Sequence, residues 1–330
     1  MLATTVEGIN MNESSSKESS AELPQIPIST HFYKQRYLYA FAPQAEVVQH
    51  IRTQALEQES SMQTQILQSW EQLQSRVATM LASEIGVAES IQLTAIPSEY
   101  EAVLQQYASN PLFQRTFAGL PTGFGIVEID KLVAAQRTVN LDYVDRLVQS
   151  FPKSPQMADL LNICVAPTRA MDPIQHLEVG PNVHVFSSPN SDIRFLGSFK
   201  KNLTPDDLDY AIMGGIPAAA IITFVGYGAA PINVLQAGSR VVLNNGFHRV
   251  YALRSMGVTH IPVVIQVVRN PALEFPPAVA GLPKEYLLGA PRPVLMKDFF
   301  EVDFAITLRV RERIKVVTVG TNVGQHEVPS

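Results

Sequence analysis

The segment Asn244–Arg249 carries the residue types of an anion-binding turn. It follows a predicted strand, Val241–Leu243, and opens a predicted helix that Gly257 ends. The first N–H groups of a helix lack intrahelical partners and lie at the positive end of its dipole, so a glycine turn here favours a phosphate. Arg249 adds a planar fork of donors that matches phosphate oxygens, and His248 can donate a hydrogen bond or move a proton near neutral pH. The alternative left open is that both side chains only cap local carbonyls and pair with acids.

Two other groups of side chains could hold a cation. His176, Glu178 and His184 offer nitrogen and oxygen ligands, although their spacing matches no fixed structural metal motif. The second group consists of three carboxylates near a predicted helix start: Asp206, Asp207 and Asp209. They could bind a Mg²⁺ ion that accompanies a nucleotide, because Mg²⁺ prefers carboxylates together with phosphate oxygens. Acids that complement the dipole of the helix explain them equally well.

The C-terminal region contains a basic stripe. Four basic side chains fall on one face of a strand predicted within Phe304–Val319: Arg309, Arg311, Arg313 and Lys315. Such a ladder could bind nucleic acid or an acidic partner, and a solvated outer strand face is the alternative. The formal charge of the whole chain is -5, which disfavours a protein whose main task is to coat nucleic acid.

Short strand and helix units must position these residues from Gly123 onward. The predicted strands are Gly125–Ile129, Leu161–Val165, Val183–Phe186, Ile221–Val225, Arg240–Leu243 and Ile261–Val268. Asn140 is the predicted N-cap of a helix whose apolar positions run from Leu141 to Phe151. The alternation of strands and helices predicts an α/β (α+β) domain.

Two sequence boxes resemble those of a known family. The second box, N-G-x-H-R-x-x-A-x(4)-G followed by I-P-V-x-I, begins at Asn245 and is similar to the signature of the ParB and sulfiredoxin-like fold. The first box, IVEIDKLVAAQRTVNLDYVDRLVQSF over residues 126–151, is similar to the family's strand that leads to an arginine and then to a helix. The resemblance covers about residues 123–268.

The resemblance implies that the second box holds the phosphates of a nucleotide and that Arg137 of the first box is a second phosphate contact. The candidate binding residues are Arg137, Asn244, Asn245, Gly246, His248 and Arg249. His248 is also the candidate catalytic residue. The implied ligand is a nucleoside triphosphate or diphosphate, with Mg²⁺ as the ion that would accompany it.

This chain departs from the family's pattern at three places. Phe247 stands where sulfiredoxin-type enzymes have a reactive cysteine, which argues against their sulfinate chemistry. Asn245 stands where family kinases and nucleases often have an acid, and a neutral amide is neither a general base nor a strong metal ligand. The many prolines after Val268 leave little room for the helix-turn-helix domain of ParB partition proteins.

The region before the first box is predicted to be helical. Ala45–Ile85 contains no Gly or Pro and repeats apolar side chains at steps of three and four, in a stripe that includes Ile66, Trp70 and Val77. Gln residues crowd the opposite face. The stripe either packs on its own chain or carries a homo-oligomer. Residues 1–30, rich in Ser and Glu, are predicted to form a disordered tail.

Composition bounds the rest of the interpretation. Among 330 residues the one cysteine, Cys164, excludes an intrachain disulfide framework and a multi-cysteine zinc site. The first residues lack a basic region followed by an apolar one, so a cytoplasmic protein is predicted. Residues 210–239 contain no charge, but Gly and Pro interrupt them every few positions, which favours a buried core strand over a membrane span.

The predicted division of the chain is a tail over 1–30, a helical interaction region over 31–120, a ParB/sulfiredoxin-like domain over 121–270 and a Pro-rich and β-strand extension over 271–330. Three functions are open. The first is a nucleotide-binding protein in which any catalysis is slow hydrolysis or phosphoryl transfer. The second is a catalytically silent scaffold that assembles through its Gln-rich helices. The third is a nucleic-acid-associated nuclease or regulator.

Overall fold

The computed structural model describes residues 31–56, 60–166, 173–180, 182–190, 192–204, 207, 217–228 and 230–327. The predicted tail over residues 1–30 lies outside the described residues, as do Asp206 and Asp209.

The described chain alternates between strands and helices. Its strands are β1 (Phe32–Tyr37), β2 (Thr122–Glu128), β3 (Val133–Ala134), β4 (Thr138–Asn140), β5 (Gln175–Gly180), β6 (Val183–Ser188), β7 (Ile193–Asn202), β8 (Ala219–Tyr227), β9 (Asn233–Ala237), β10 (Arg240–Asn245), β11 (His260–Val268), β12 (Ala278–Val279), β13 (Leu282–Pro283), β14 (Ile306–Arg311) and β15 (Lys315–Gly320). Its α-helices are α1 (Gln44–Gln54), α2 (Ser60–Ser83), α3 (Glu101–Ala108), α4 (Pro111–Thr116), α5 (Leu141–Ser150), α6 (Met157–Cys164), α7 (Phe247–Ser255), α8 (Pro271–Glu274) and α9 (Lys284–Leu288). This mixture agrees with the predicted α/β class.

A mixed five-stranded sheet carries the two boxes. Its strand order is β2-β11-β9-β10-β3. β10 pairs in parallel with β3, and β11 pairs in parallel with β9, whereas the β2–β11 and β9–β10 pairs are antiparallel. The apolar runs of β10 and β11 are almost fully buried, as expected for strands covered on both faces.

The hydrophobic core is continuous across the predicted boundaries at residues 120 and 270. β1 pairs with β4 on one side and with β14 on the other, so the segment before residue 120 begins with a strand that joins distant parts of the chain. Met296 and Phe299 are fully buried in the same cluster as Leu38 and Ile51. The N-terminal helices and the C-terminal segment therefore share one core with the central sheet.

The apolar stripe of α2 packs on its own chain. Ile66, Leu73 and Val77 are buried, and Trp70 Nε1 donates a hydrogen bond to the carbonyl of Ala42 at 3.0 Å. This is the first of the two alternatives that the periodicity left open. A homo-oligomer through other surfaces of these helices stays a prediction.

The predicted strand Leu161–Val165 was wrong, because these residues lie in and just after α6. The backbone N–H of Gln156 donates to Asp159 Oδ2 at 2.9 Å and opens the helix, whose buried face contains Leu160, Leu161 and Cys164. Periodicity alone cannot distinguish a short apolar run in a strand from one turn of a buried helix, and the polar residues before the run decide the outcome.

The strand predicted at Ile221–Val225 exists, but the prediction that it is buried was wrong. It forms the centre of β8, which pairs with β7 in a two-stranded ribbon, and the side chain of Ile221 is 78% exposed. In the described part of the chain, no helix is long and apolar enough to cross a membrane.

The basic stripe does not lie on a single strand. Arg309 and Arg311 belong to β14, which pairs with β1, whereas Lys315 begins β15, which pairs with β6 in another sheet. The guanidinium groups of Arg309 and Arg311 lie 5.9 and 5.4 Å from the ring centroid of Phe32. The prediction of one ladder of four cations was therefore wrong, because the chain leaves β14 after Arg311.

Candidate functional site

Parallel pairing brings the two boxes to one edge of the main sheet. Val242 and Leu243 of β10 lie beside Val133 and Ala134 of β3, so both strands end at the same edge. The chain then continues from β3 to Arg137 and from β10 to Gly246. The carboxyl ends of parallel strands are a common place for ligand binding in α/β sheets.

Gly246 is the N-cap of α7 and has a backbone conformation that other residues rarely adopt. Its φ is +91°, and a Cβ at this position would lie 2.6 Å from Cγ1 of Ile232. Because glycine offers no side chain, no side-chain hydrogen bond caps the start of α7. The first N–H groups of this nine-residue helix, from Phe247 onward, are therefore the donors that an oxyanion would find here.

His248 connects the second box to the first. Its Nε2 accepts a hydrogen bond from the backbone N–H of Asn140 at 3.1 Å. Burial lowers the pKa of His248 from 6.5 to about 4, so the ring is neutral at pH 7 and Nε2 can accept this bond. A neutral imidazole that already accepts an N–H is poorly suited to shuttle protons at that pH.

Residues that the sequence interpretation missed lie beside His248. The ring of Tyr143 meets the imidazole edge-on, with 5.3 Å between centroids, and the exposed Arg146 has its guanidinium 5.6 Å from the Tyr143 ring. Asn140 Oδ1 accepts a hydrogen bond from the Tyr143 N–H at 2.9 Å, which confirms the predicted N-cap of α5. The spacing Asn140, Tyr143, Arg146 is one helical turn per step, and this was the available signal.

Arg249 is engaged with backbone carbonyls. Its Nη1 donates to the Ile163 carbonyl at 2.8 Å, and its Nη2 donates to the Ala230 carbonyl. These bonds hold the end of α6 and the segment before β9 against the start of α7. The neighbouring Cys164 is buried, and burial raises the pKa of its thiol to about 12, which leaves it protonated and unreactive.

Arg137 is also engaged within the chain. Its Nη1 donates to Glu46 Oε2 of α1 at 2.7 Å, and its guanidinium lies 5.1 Å from the ring centroid of Tyr286. The Arg137 side chain is 9% exposed, whereas that of Glu46 is 43% exposed. Arg137 Nε has no hydrogen-bond partner among the described residues. Glu46 therefore occupies part of the donor fork that the resemblance assigns to phosphate.

Two asparagines hold the turn: Asn244, directly before the second box, and Asn245, its first residue. Asn244 Nδ2 donates to Asn233 Oδ1 at 2.7 Å, and Asn245 Nδ2 donates to the carbonyl of Pro231 at 3.1 Å. Both bonds tie the end of β10 to the start of β9. Their roles in ligand binding stay predictions.

The other candidate cation sites have partners inside the chain. His176 Nε2 and His184 Nδ1 lie 3.1 Å apart on β5 and β6, in hydrogen-bond contact. Asp207 accepts a hydrogen bond from Lys201 at Oδ1, and at Oδ2 it accepts from the backbone N–H and the hydroxyl of Thr204, each at 2.9 Å. The Lys201 bond and then the Thr204 bonds lower the pKa of Asp207 to about 2. Among the described residues, no three or more His, Cys, Asp or Glu side chains form a group that could hold a metal ion.

No protein-family model, curated protein or solved structure matches this chain.

Proposed function

We propose that this protein binds a nucleoside diphosphate or triphosphate through the turn that opens α7, in a domain of the ParB and sulfiredoxin-like fold over about residues 123–268. The observation that carries the proposal is the start of α7 itself. Gly246, at φ +91°, gives a helix N-terminus without a side-chain cap, directly beside the first box. Such a terminus supplies converging N–H donors and a positive potential for phosphate oxygens.

The side chains of the second box support this function by fixing the turn. Arg249 and Asn245 donate to carbonyls that precede β9, and Asn244 donates to Asn233 at the start of β9. His248 accepts a hydrogen bond from Asn140, the N-cap of α5. A rigid turn lowers the entropy cost of ligand binding. In this account the backbone N–H groups donate to the phosphate, and Arg249 holds the turn in place through its bonds to the carbonyls of Ile163 and Ala230.

Arg137 is the proposed second phosphate contact, and Glu46 competes for it. A Glu46→Gln variant removes the negative charge that holds the guanidinium, so nucleotide affinity should rise if Arg137 faces the ligand. An isothermal titration of both proteins with the same nucleotide measures the difference. Equal affinities would remove Arg137 from the site.

A thermal-shift panel tests the proposed function. ATP, CTP, GTP and their diphosphates are compared with and without Mg²⁺, because a ligand that binds only the native state stabilises it by about 2.7 kcal/mol at 100 times its Kd. At least one nucleotide should raise the melting temperature of the wild-type chain and fail to raise that of Gly246→Ala. Gly238→Ala, at another glycine with positive φ, is the matched control and should keep the shift. If no nucleotide raises the melting temperature of the wild-type chain, the proposal is wrong.

A catalytically silent scaffold is the second candidate. It is favoured by the bonds that the side chains of the two boxes form within the chain. Arg249, Arg137 and His248 all have partners within the chain, as a purely structural version of the two boxes would require. Loss of every nucleotide response, together with a folded and oligomeric chain in light scattering, would favour the scaffold.

A further inference from the structure

β7 and β8 form a two-stranded ribbon that pairs with none of the other described sheets. Its two strands pair antiparallel over nine registered pairs, from Ile193 opposite Tyr227 to Asn202 opposite Ala219. Only its base is buried, where Ile193 is fully enclosed and the hydroxyl of Tyr227 lies 2.8 Å from Ser188 Oγ. A two-stranded ribbon is marginally stable in water unless further strands or a packed face support it.

The ribbon exposes large apolar side chains on both faces. Phe199 and Phe224 stack with 5.6 Å between ring centroids, which places them on one face, and each is about half exposed. Ile221 is 78% exposed on the other face. Isolated exposed apolar residues are ordinary, whereas a contiguous exposed patch indicates an interaction surface.

The two edges of the ribbon differ in how they are protected. β7 carries Lys200 and Lys201 and an irregular register between Phe195 and Gly197, and charges and bulges of this kind prevent edge pairing. β8 has the sequence AAIITFVGY, with no charge and no proline, over nine residues. The edge of β8 that faces away from β7, called the open edge below, pairs with no other strand among the described residues.

We propose that the open edge of β8 pairs antiparallel with β8 of a second copy of this chain. An open strand edge recognises another strand through its N–H and C=O groups, and an uncharged strand favours an uncharged partner. The same β8 meets both conditions, and antiparallel pairing with itself generates the two-fold symmetry of most homodimers. The result is a four-stranded sheet whose two outer strands are the β7 strands, with their lysines and irregular register.

The register of this pairing follows from the apolar pattern. With Thr223, the centre of β8, on the two-fold axis, Phe224 of one copy lies opposite Ile222 of the other, and Ile221 lies opposite Val225. The two exposed apolar side chains of β8, Ile221 and Phe224, thus each gain an apolar cross-strand neighbour. Two paired strand edges form a contact at the small end of specific interfaces, so the dimer is weak and concentration-dependent.

Cross-linking of single cysteines tests the pairing. In two paired Thr223→Cys chains the Cα atoms of the two cysteines would lie about 4.5–5.5 Å apart across the axis. This is within the range of roughly 4.4–6.8 Å between Cα atoms that a disulfide accepts. Ser198→Cys is the matched control, because Ser198 lies opposite Thr223 in the ribbon but belongs to β7, whose outer edge does not take part in the proposed pairing. Cys164 is buried and is left in place. Mild oxidation should give covalent dimers of Thr223→Cys at least five-fold more readily than of Ser198→Cys; equal yields overturn the proposal.

Sedimentation velocity of the full-length chain gives an independent readout. The wild type should change from monomer to dimer as its concentration rises, Thr223→Lys should stay monomeric, and Ser198→Lys should behave as the wild type, with circular dichroism confirming that each variant is folded. A dimer that survives in Thr223→Lys overturns the proposal. A wild-type chain that stays monomeric at every concentration also overturns the proposal. If that monomer cosediments with phosphatidylserine vesicles, the ribbon is assigned to a membrane surface instead.

Discussion

Replacement of Arg249 by alanine separates a structural role from a ligand contact. The side chain donates to the carbonyls of Ile163 and Ala230, and hydrogen bonds from a charged group contribute about 1.5–3 kcal/mol each. Water rehydrates part of the space that the shorter side chain leaves, so we expect a loss of about 3 kcal/mol in the free energy of unfolding. With an unfolding entropy of about 0.7 kcal/mol/K for a chain of this length, the melting temperature falls by about 4 °C.

The assay measures the melting temperature of Arg249→Ala with and without the nucleotide that stabilises the wild type. The free variant should melt earlier, and the rise that the nucleotide produces should remain, because the backbone of α7 supplies the donors. Arg249→Lys, which keeps a charge but not the planar fork, should fall between the two. Arg52→Ala, at an exposed position of α1, is the control. An unchanged melting temperature combined with loss of the nucleotide response would refute the structural role and return Arg249 to the ligand.

Three further predictions follow from particular contacts. Gly246→Ala should lower the free energy of unfolding by roughly 2–4 kcal/mol in urea denaturation, from backbone strain plus the clash with Ile232, whereas Gly238→Ala has open space at its Cβ and should lose roughly 1–2 kcal/mol; equal losses would contradict the clash. Burial lowers the pKa of both His50 and His248 from 6.5 to about 4. The unfolded chain therefore binds these protons first, and the free energy of unfolding should fall as the pH drops from 6.5 towards 4, by up to about 3 kcal/mol for the buried His50. A urea midpoint equal at pH 7 and 4.5, or an unaltered pH dependence in His50→Gln, would contradict this prediction. A fragment of residues 121–330 should fail to fold by circular dichroism, because it lacks β1, which pairs with both β4 and β14; a folded fragment would show that the core divides near residue 120.

Local signals were sufficient for the elements that carry the two boxes. Asn140 predicted the start of α5, and Gly257, with φ +88°, predicted the end of α7, because caps and glycine conformations act within one turn of the chain. The strands β10 and β11 were readable from continuous apolar runs between turn residues. The presence and order of these elements therefore follow from the sequence.

The partners of the site residues could not be predicted in the same way. Arg249 bonds to carbonyls near residues 163 and 230, and Arg137 pairs with Glu46, so each contact joins segments far apart in the sequence. Burial of β8 was predicted from composition, but an uncharged strand can equally lie at an open edge. Composition determines how apolar a strand is, whereas its neighbours in the fold determine what covers it.

The most direct test of phosphate binding at α7 is an amide NMR titration of the full-length chain with the nucleotide selected by the thermal panel. The account predicts saturable shifts of the backbone N–H signals of Gly246–Arg249 and of Asn140, with the same dissociation constant for all of them, because these amides surround one turn. Shifts confined to other parts of the chain, or no saturable shift at these amides while the nucleotide still stabilises the protein, would contradict the account.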